Sequence, residues 1–96
     1  MPSATYRVFR DAILTEQQVT CIYQGYLREL CPVIIGHDKN GVEALLAWQF
    51  GGETSAGRLA SGGAWKCLKL TNVQNPVARH GPWHEGRSHQ STQNCV

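Results

Sequence analysis

Two tryptophans, each followed by a polar side chain, flank a glycine-rich stretch: Trp48-Gln49 before it and Trp65-Lys66 after it. Between them run Phe50-Gly51-Gly52-Glu53-Thr54-Ser55-Ala56-Gly57-Arg58 and, at the far end, Gly62-Gly63-Ala64. The chemistry open to these residues is recognition rather than bond breaking. Indole faces stack on planar groups, an interaction worth roughly 1–3 kcal/mol per base in single-stranded nucleic acid. Arg58 and Lys66 would neutralise an anion, and Gly51, Gly52 and Gly57 would let backbone amides approach it. The expected ligand face is therefore Trp48, Gln49, Gly51, Gly52, Arg58, Trp65 and Lys66. A plainer alternative stands beside it, in which both rings fill the core and the glycines form a connection between strands.

Other chemistries fail on spacing. Gly52 to Leu59 begins like a phosphate-binding loop, but Arg58 and Leu59 stand where lysine and a hydroxyl are required, and no helix follows. A hydrolase elbow around Ser55 fails because Glu53 occupies the glycine position before it. His80, His84, His89 and Cys95 carry zinc-type atoms, yet their spacing matches no closed four-ligand site, so no metal or other cofactor is expected. No nucleophile has an adjacent base and an orienting third group, so no catalytic residue is assigned and an enzyme is not expected.

With 96 residues the chain has room for one core. No apolar run approaches the roughly 20 residues needed to cross a bilayer. Arg7, Arg10 and Asp11 interrupt anything resembling a signal peptide, so a cytoplasmic protein without membrane association is expected. Cys21, Cys31 and Cys67 lie in strand-like runs and read as buried free thiols, with Cys95 left open. Charge is uneven. Residues 1–50 hold four basic and five acidic groups, whereas residues 51–96 hold five basic and two acidic, together with three of the four histidines. That asymmetry mildly favours an anionic partner.

Ser3 can cap a helix over Ala4 to Thr15, with Tyr6, Phe9 and Ile13 on one stripe, placed to cover an open end or face of a sheet. Val19 to Leu30 is ambiguous. Its apolar residues fit a helical stripe, while its β-branched and aromatic content and Gln24-Gly25 fit a strand hairpin. Leu30 to Gly36 reads as a strand bent at Pro32, Asp38-Lys39-Asn40-Gly41 as a hairpin turn, and Val42 to Phe50 as a central strand apolar on both faces. Residues 51–63 read as the loop. Trp65 to Leu70 and Val73 to Arg79 supply two further strands, the last kinked or shortened at Asn75-Pro76.

Tyr23-Gln24-Gly25-Tyr26-Leu27-Arg28-Glu29-Leu30-Cys31-Pro32, then Gly36 to Gly41, Ala44 to Trp48, and Lys66 to Val73 form an ordered set. That set resembles the WYL domain, an SH3-like β-barrel of bacterial transcription regulators and phage-defence proteins, and especially its short stand-alone relatives. Tyr23, Arg28 and Pro32 match the family's tyrosine–basic–proline pattern, which favours strands for residues 19–30. The name-giving triplet falls near Ala44-Leu45-Leu46, where only the leucine is kept. Lys66, Lys69, Leu70 and Val73 match the later basic motif, but Leu68 replaces its aromatic, and Thr71 and Asn72 its acidic–basic pair. The resemblance implies nucleic-acid or nucleotide-like ligands, and adds Arg28 to the candidate ligand residues.

The resulting expectation is a mainly β domain, a small SH3-like barrel of five or six strands with one N-terminal helix over residues 1–80, and a polar tail over 81–96. Its expected role is binding of an anionic small molecule or single-stranded nucleic acid, in a regulatory setting. The alternative is a structural or interaction protein that forms a homodimer or docks on a larger partner without a small ligand.

Overall fold

The computed structural model describes residues 2–54, 57–58, 63–84 and 96, with only the backbone for 57–58. Helix α1 spans Ala4–Thr15. Ser3 starts it as expected, its hydroxyl accepting the Tyr6 amide at 3.0 Å. The same hydroxyl donates to Glu43 Oε1, and the Ser3 amide donates to Glu43 Oε2 at 3.0 Å. One serine thus caps the helix and ties it to the sheet. Glu16 ends the helix in the left-handed region (φ 52°), its amide bonding back to Ala12 and Ile13.

Among the described residues six strands follow: β1 Gln18–Tyr23, β2 Tyr26–His37, β3 Glu43–Thr54, β4 Gly57–Arg58, β5 Ala64–Lys69 and β6 Val73–Arg79. The ambiguous segment is a hairpin because Gln24 and Gly25 both take positive φ (55° and 80°), which turns β1 directly into β2. Two expectations shift here. The strand predicted from Leu30 is continuous with the hairpin arm before it, and Pro32 is absorbed by a bulge between Pro32 and Ile34. The loop predicted from residue 51 starts later, since β3 runs on through Gly51 and Gly52 to Thr54 and pairs briefly with β4.

All pairings are antiparallel. β6 pairs β1, β1 pairs β2, β2 pairs β3, and β3 carries β5 along Ala44 to Gln49. A 3-10 turn, Leu70–Asn72, carries the chain from β5 on one side of the sheet to β6 on the other. Among the described residues β5 and β6 do not pair, so hydrogen bonding does not close the sheet into a barrel. It curls nonetheless, because the Tyr23 hydroxyl on β1 accepts the Lys69 amide of β5 at 3.1 Å. At Asn75 (φ 52°) and Pro76 the register of β6 against β1 shifts, the kink expected of that dipeptide.

The inner face carries Val19, Cys21 and Tyr23 of β1, Leu30 of β2, Leu45 and Ala47 of β3 and Leu68 of β5, with Phe9 and Ala12 of the helix packed on them. Contacts of Ser3 with Glu43, and of Tyr6 with His37 (ring centroids 5.9 Å apart), place the helix where β2 ends and β3 begins. The opposite end of the inner face holds the polar residues described below. Ser3→Ala should lower stability by about 1 kcal/mol, the usual worth of such a cap, in thermal or urea melts. It should also flatten the acid limb. The Ser3 hydroxyl and amide hold the Glu43 carboxyl below its ordinary 4.5, so this contact stabilises the fold above that pH and is lost as pH falls through the lowered value.

Candidate functional site

Alternation along β3 divides the expected ligand face. Directly opposite residues in antiparallel strands share a face. Trp48 lies opposite Trp65 and Cys31, whereas Gln49 lies opposite Leu30 and Ala64 and therefore points inward. Trp48 is 5 % exposed and meets Trp65 edge to face at 5.2 Å. This pair packs on the outer face. Nearby, His84 stacks on Phe50 at 4.1 Å and donates its amide to Cys31 Sγ. Trp48 is thus core material, while the half-buried Trp65 keeps part of its ring accessible.

The inward residues make a different cluster. Gln49 is fully buried and Arg28 only 4 % exposed. Arg28 Nη1 donates to Gln49 Oε1 at 3.1 Å, and Nη2 donates to the Tyr23 carbonyl at 3.3 Å and to Gln24 Oε1 at 3.4 Å. Its carbon lies 5.4 Å from the centre of the Tyr23 ring and 5.9 Å from that of Tyr26, in cation–π range. Gln49 Nε2 in turn donates to the carbonyls of Gly51 (2.9 Å) and Glu53 (3.2 Å). The Nε of Arg28 is buried without a partner. Every acceptor on the guanidinium is neutral, and the ion pairs Arg10–Asp11 and Arg79–Glu29 do not include it. A buried charge held this way is costly until an opposite charge arrives.

Lys66, half-buried, sits opposite Ala47 and so shares the inward face with Gln49, while Lys69, opposite Ala44, takes the other face. Opposite Arg28 on β1 is Cys21. Burial pushes the Cys21 thiol up to about 11, an effect the Arg28 charge partly offsets. Burial also raises the Cys31 thiol, against the His84 amide bond and Arg79. Both are structural thiols, as expected. Cys67 is not: it is exposed on β5 and disulfide-bonded, which corrects its reading as a buried free thiol. Such a bond persists best where thiols are oxidised, so it lends no support to a cytoplasmic location.

The glycines serve chain-to-chain approach. Gly52, at φ +83°, lies opposite Arg28, and a Cβ there would collide with the Leu27 carbonyl. Gly63, at φ +110°, abuts the Trp48 indole, where a Cβ would stand 2.8 Å from Nε1. Gly51 pairs with Glu29 in β3. Gly57 and Arg58 form β4, where Arg58 pairs with Glu53. Ser55, Ala56, residues 59–62, and the tail positions Glu85, His89 and Cys95 lie outside the described residues. Gln24, Tyr23 and Tyr26 were missed as partners of Arg28. Their only sequence signal was the Tyr23-to-Pro32 pattern that brought in Arg28 itself.

Among the described residues no three His, Cys, Asp or Glu side chains converge to hold a metal ion. None of the described helices is long and apolar enough to cross a membrane. No family model, curated protein or solved structure matches the chain.

Proposed function

We propose that this chain is a binding module for an anionic ligand, anchored on Arg28 and supported by Gln49 and Lys66. The observation that carries the reading is a nearly buried guanidinium whose partners are all neutral. Evolution seldom tolerates a buried cation without a carboxylate unless something else supplies the negative charge. An oxyanion would set an ionised acceptor against a guanidinium that now bonds only neutral oxygens and whose Nε has no partner. Trp65, on the outer face with Trp48, takes no part in this reading.

An SH3-like barrel related to the WYL domain belongs to the same proposal. In its favour are the strand order β6-β1-β2-β3-β5, the 3-10 turn joining the two outer strands, and the Tyr23–Lys69 contact across the curl. Between the two ligand classes, burial of Trp48 removes one of the two stacking platforms a single strand would use, and favours a small molecule. Thermal melts with increasing inorganic phosphate test the reading. The melting temperature should climb with phosphate for the native chain and stay level for Arg28→Met; equal responses would refute it.

A second reading is an interaction protein. Leu27 and Val77 are 56 % and 57 % exposed, and through Ile22 and Thr20 of β1 they fall on one outward surface of β2, β1 and β6. Sedimentation at high concentration decides whether that surface joins two copies.

A further inference from the structure

We infer that the oxyanion reaches Arg28 through a cavity at the β1–β2 turn, that Gln24 is its gate, and that the ligand is a small organic anion of mononucleotide size. This rests on the anion-binding reading above and names its ligand class and entrance. The cavity holds about 440 Å³, within the roughly 300–1,000 Å³ of small-molecule sites. Tyr23, Ala44 and Leu68 give it an apolar floor, and Gln24, Asn72 and Lys69 place two amides and a cation around it. A neighbouring hollow of about 340 Å³ shares Gln24 and Asn72, so the two meet at those amides.

Arg28 does not itself line the cavity, but Tyr23 and Gln24 do, and both accept from its Nη2. In the proposed route the carboxamide of Gln24 stands between the guanidinium and the cavity. Two features make it a displaceable plug. Its bond to Arg28 is the longest of the three, at 3.4 Å, and its acceptor is neutral. Its backbone is held at φ 55°, a region that long side chains seldom occupy and that turn positions of this kind usually fill with glycine, asparagine or aspartate. An incoming oxyanion would replace that oxygen on Nη2 with a charged one. Asp38 also faces the cavity, but its Oδ1 is engaged by the amides of Asn40 and Val42, and Lys69 counters its charge from the same lining.

A gate that competes with the ligand predicts a gain on its removal. Gln24→Gly takes away the plug and suits the backbone, so calorimetric titration should show phosphate and adenosine 5′-monophosphate binding about fivefold more tightly than to the native chain, the worth of one long, weak hydrogen bond. The mononucleotide should bind more tightly than phosphate alone, and Lys69→Met should weaken it. If Arg28→Met abolishes binding while Gln24→Gly leaves it unchanged or weaker, the gate is wrong and the anion reading stands. If neither probe binds the native chain or Gln24→Gly, both ideas fall. Binding of a short oligothymidylate with none of the mononucleotide overturns the ligand class. Gln24→Gly leaves the other contacts of Arg28 in place, so the test survives even if Arg28→Met fails to fold.

Discussion

Gln49→Leu is expected to remove about 3–5 kcal/mol of stability in urea denaturation, because a buried guanidinium and two carbonyls each lose a partner at about 1–3 kcal/mol apiece. Gln49 has no solvent exposure, and its carboxamide is fully committed: its oxygen accepts from Arg28, and its nitrogen donates to the carbonyls of Gly51 and Glu53. Leucine fills much the same volume, so packing is roughly kept while three hydrogen bonds disappear. The guanidinium then retains only the Tyr23 carbonyl and Gln24, its two longer contacts. A surface glutamine replaced in the same way would change stability by no more than about 0.5 kcal/mol. A measured loss below about 1 kcal/mol would show that the network does not hold this end of the sheet.

The second large effect falls on binding rather than on stability. Arg28→Met should leave the chain within about 2 kcal/mol of the native protein without ligand, because relief of the uncompensated charge is set against the Gln49 and Tyr23 oxygens left without that donor. The same variant should lose its melting response to phosphate. Stability kept and binding lost by one substitution is the signature of a residue retained for a ligand rather than for the fold. Combining the two changes sharpens the test. In Arg28→Met/Gln49→Leu no stranded cation remains, so the double variant should recover much of what Gln49→Leu loses, a coupling of more than about 1 kcal/mol between neighbours. Additive losses would mean that Gln49 acts through Gly51 and Glu53 alone.

Local chemistry made much of this architecture readable. Ser3 and the Tyr6, Phe9, Ile13 stripe specify the helix, Asp38 to Gly41 the turn, and Asn75-Pro76 the kink, because capping, positive φ and a missing amide act within a few residues. The central position of β3 is legible in its unbroken apolar run. Gln24-Gly25 was ambiguous for a physical reason: the same apolar spacing serves a helix until the partner strand is known.

The site was legible in its residue types and not in its grouping. Trp48, Gln49, Trp65 and Lys66 were rightly placed at neighbouring positions of two paired strands, but alternation sends the tryptophans to one face and Gln49 with Lys66 to the other. Only pairing shows which face is inward. Arg28 entered through a family pattern, and nothing in the sequence spacing could say that it is buried, that Gln49 from a strand 21 residues away accepts its bond, or that no carboxylate comes with it. Cys67 failed as a core residue for the same reason, since it stands one step along β5 from buried Leu68 and so faces out. The sequence by itself determined the helix start and the turn from Asp38 to Gly41, because those depend on backbone preferences of adjacent residues. It misplaced the start of β2 and the end of β3, which depend on their partner strands. The tertiary structure alone decided which side chains meet around Arg28, because burial and charge compensation depend on strands brought together from distant parts of the chain.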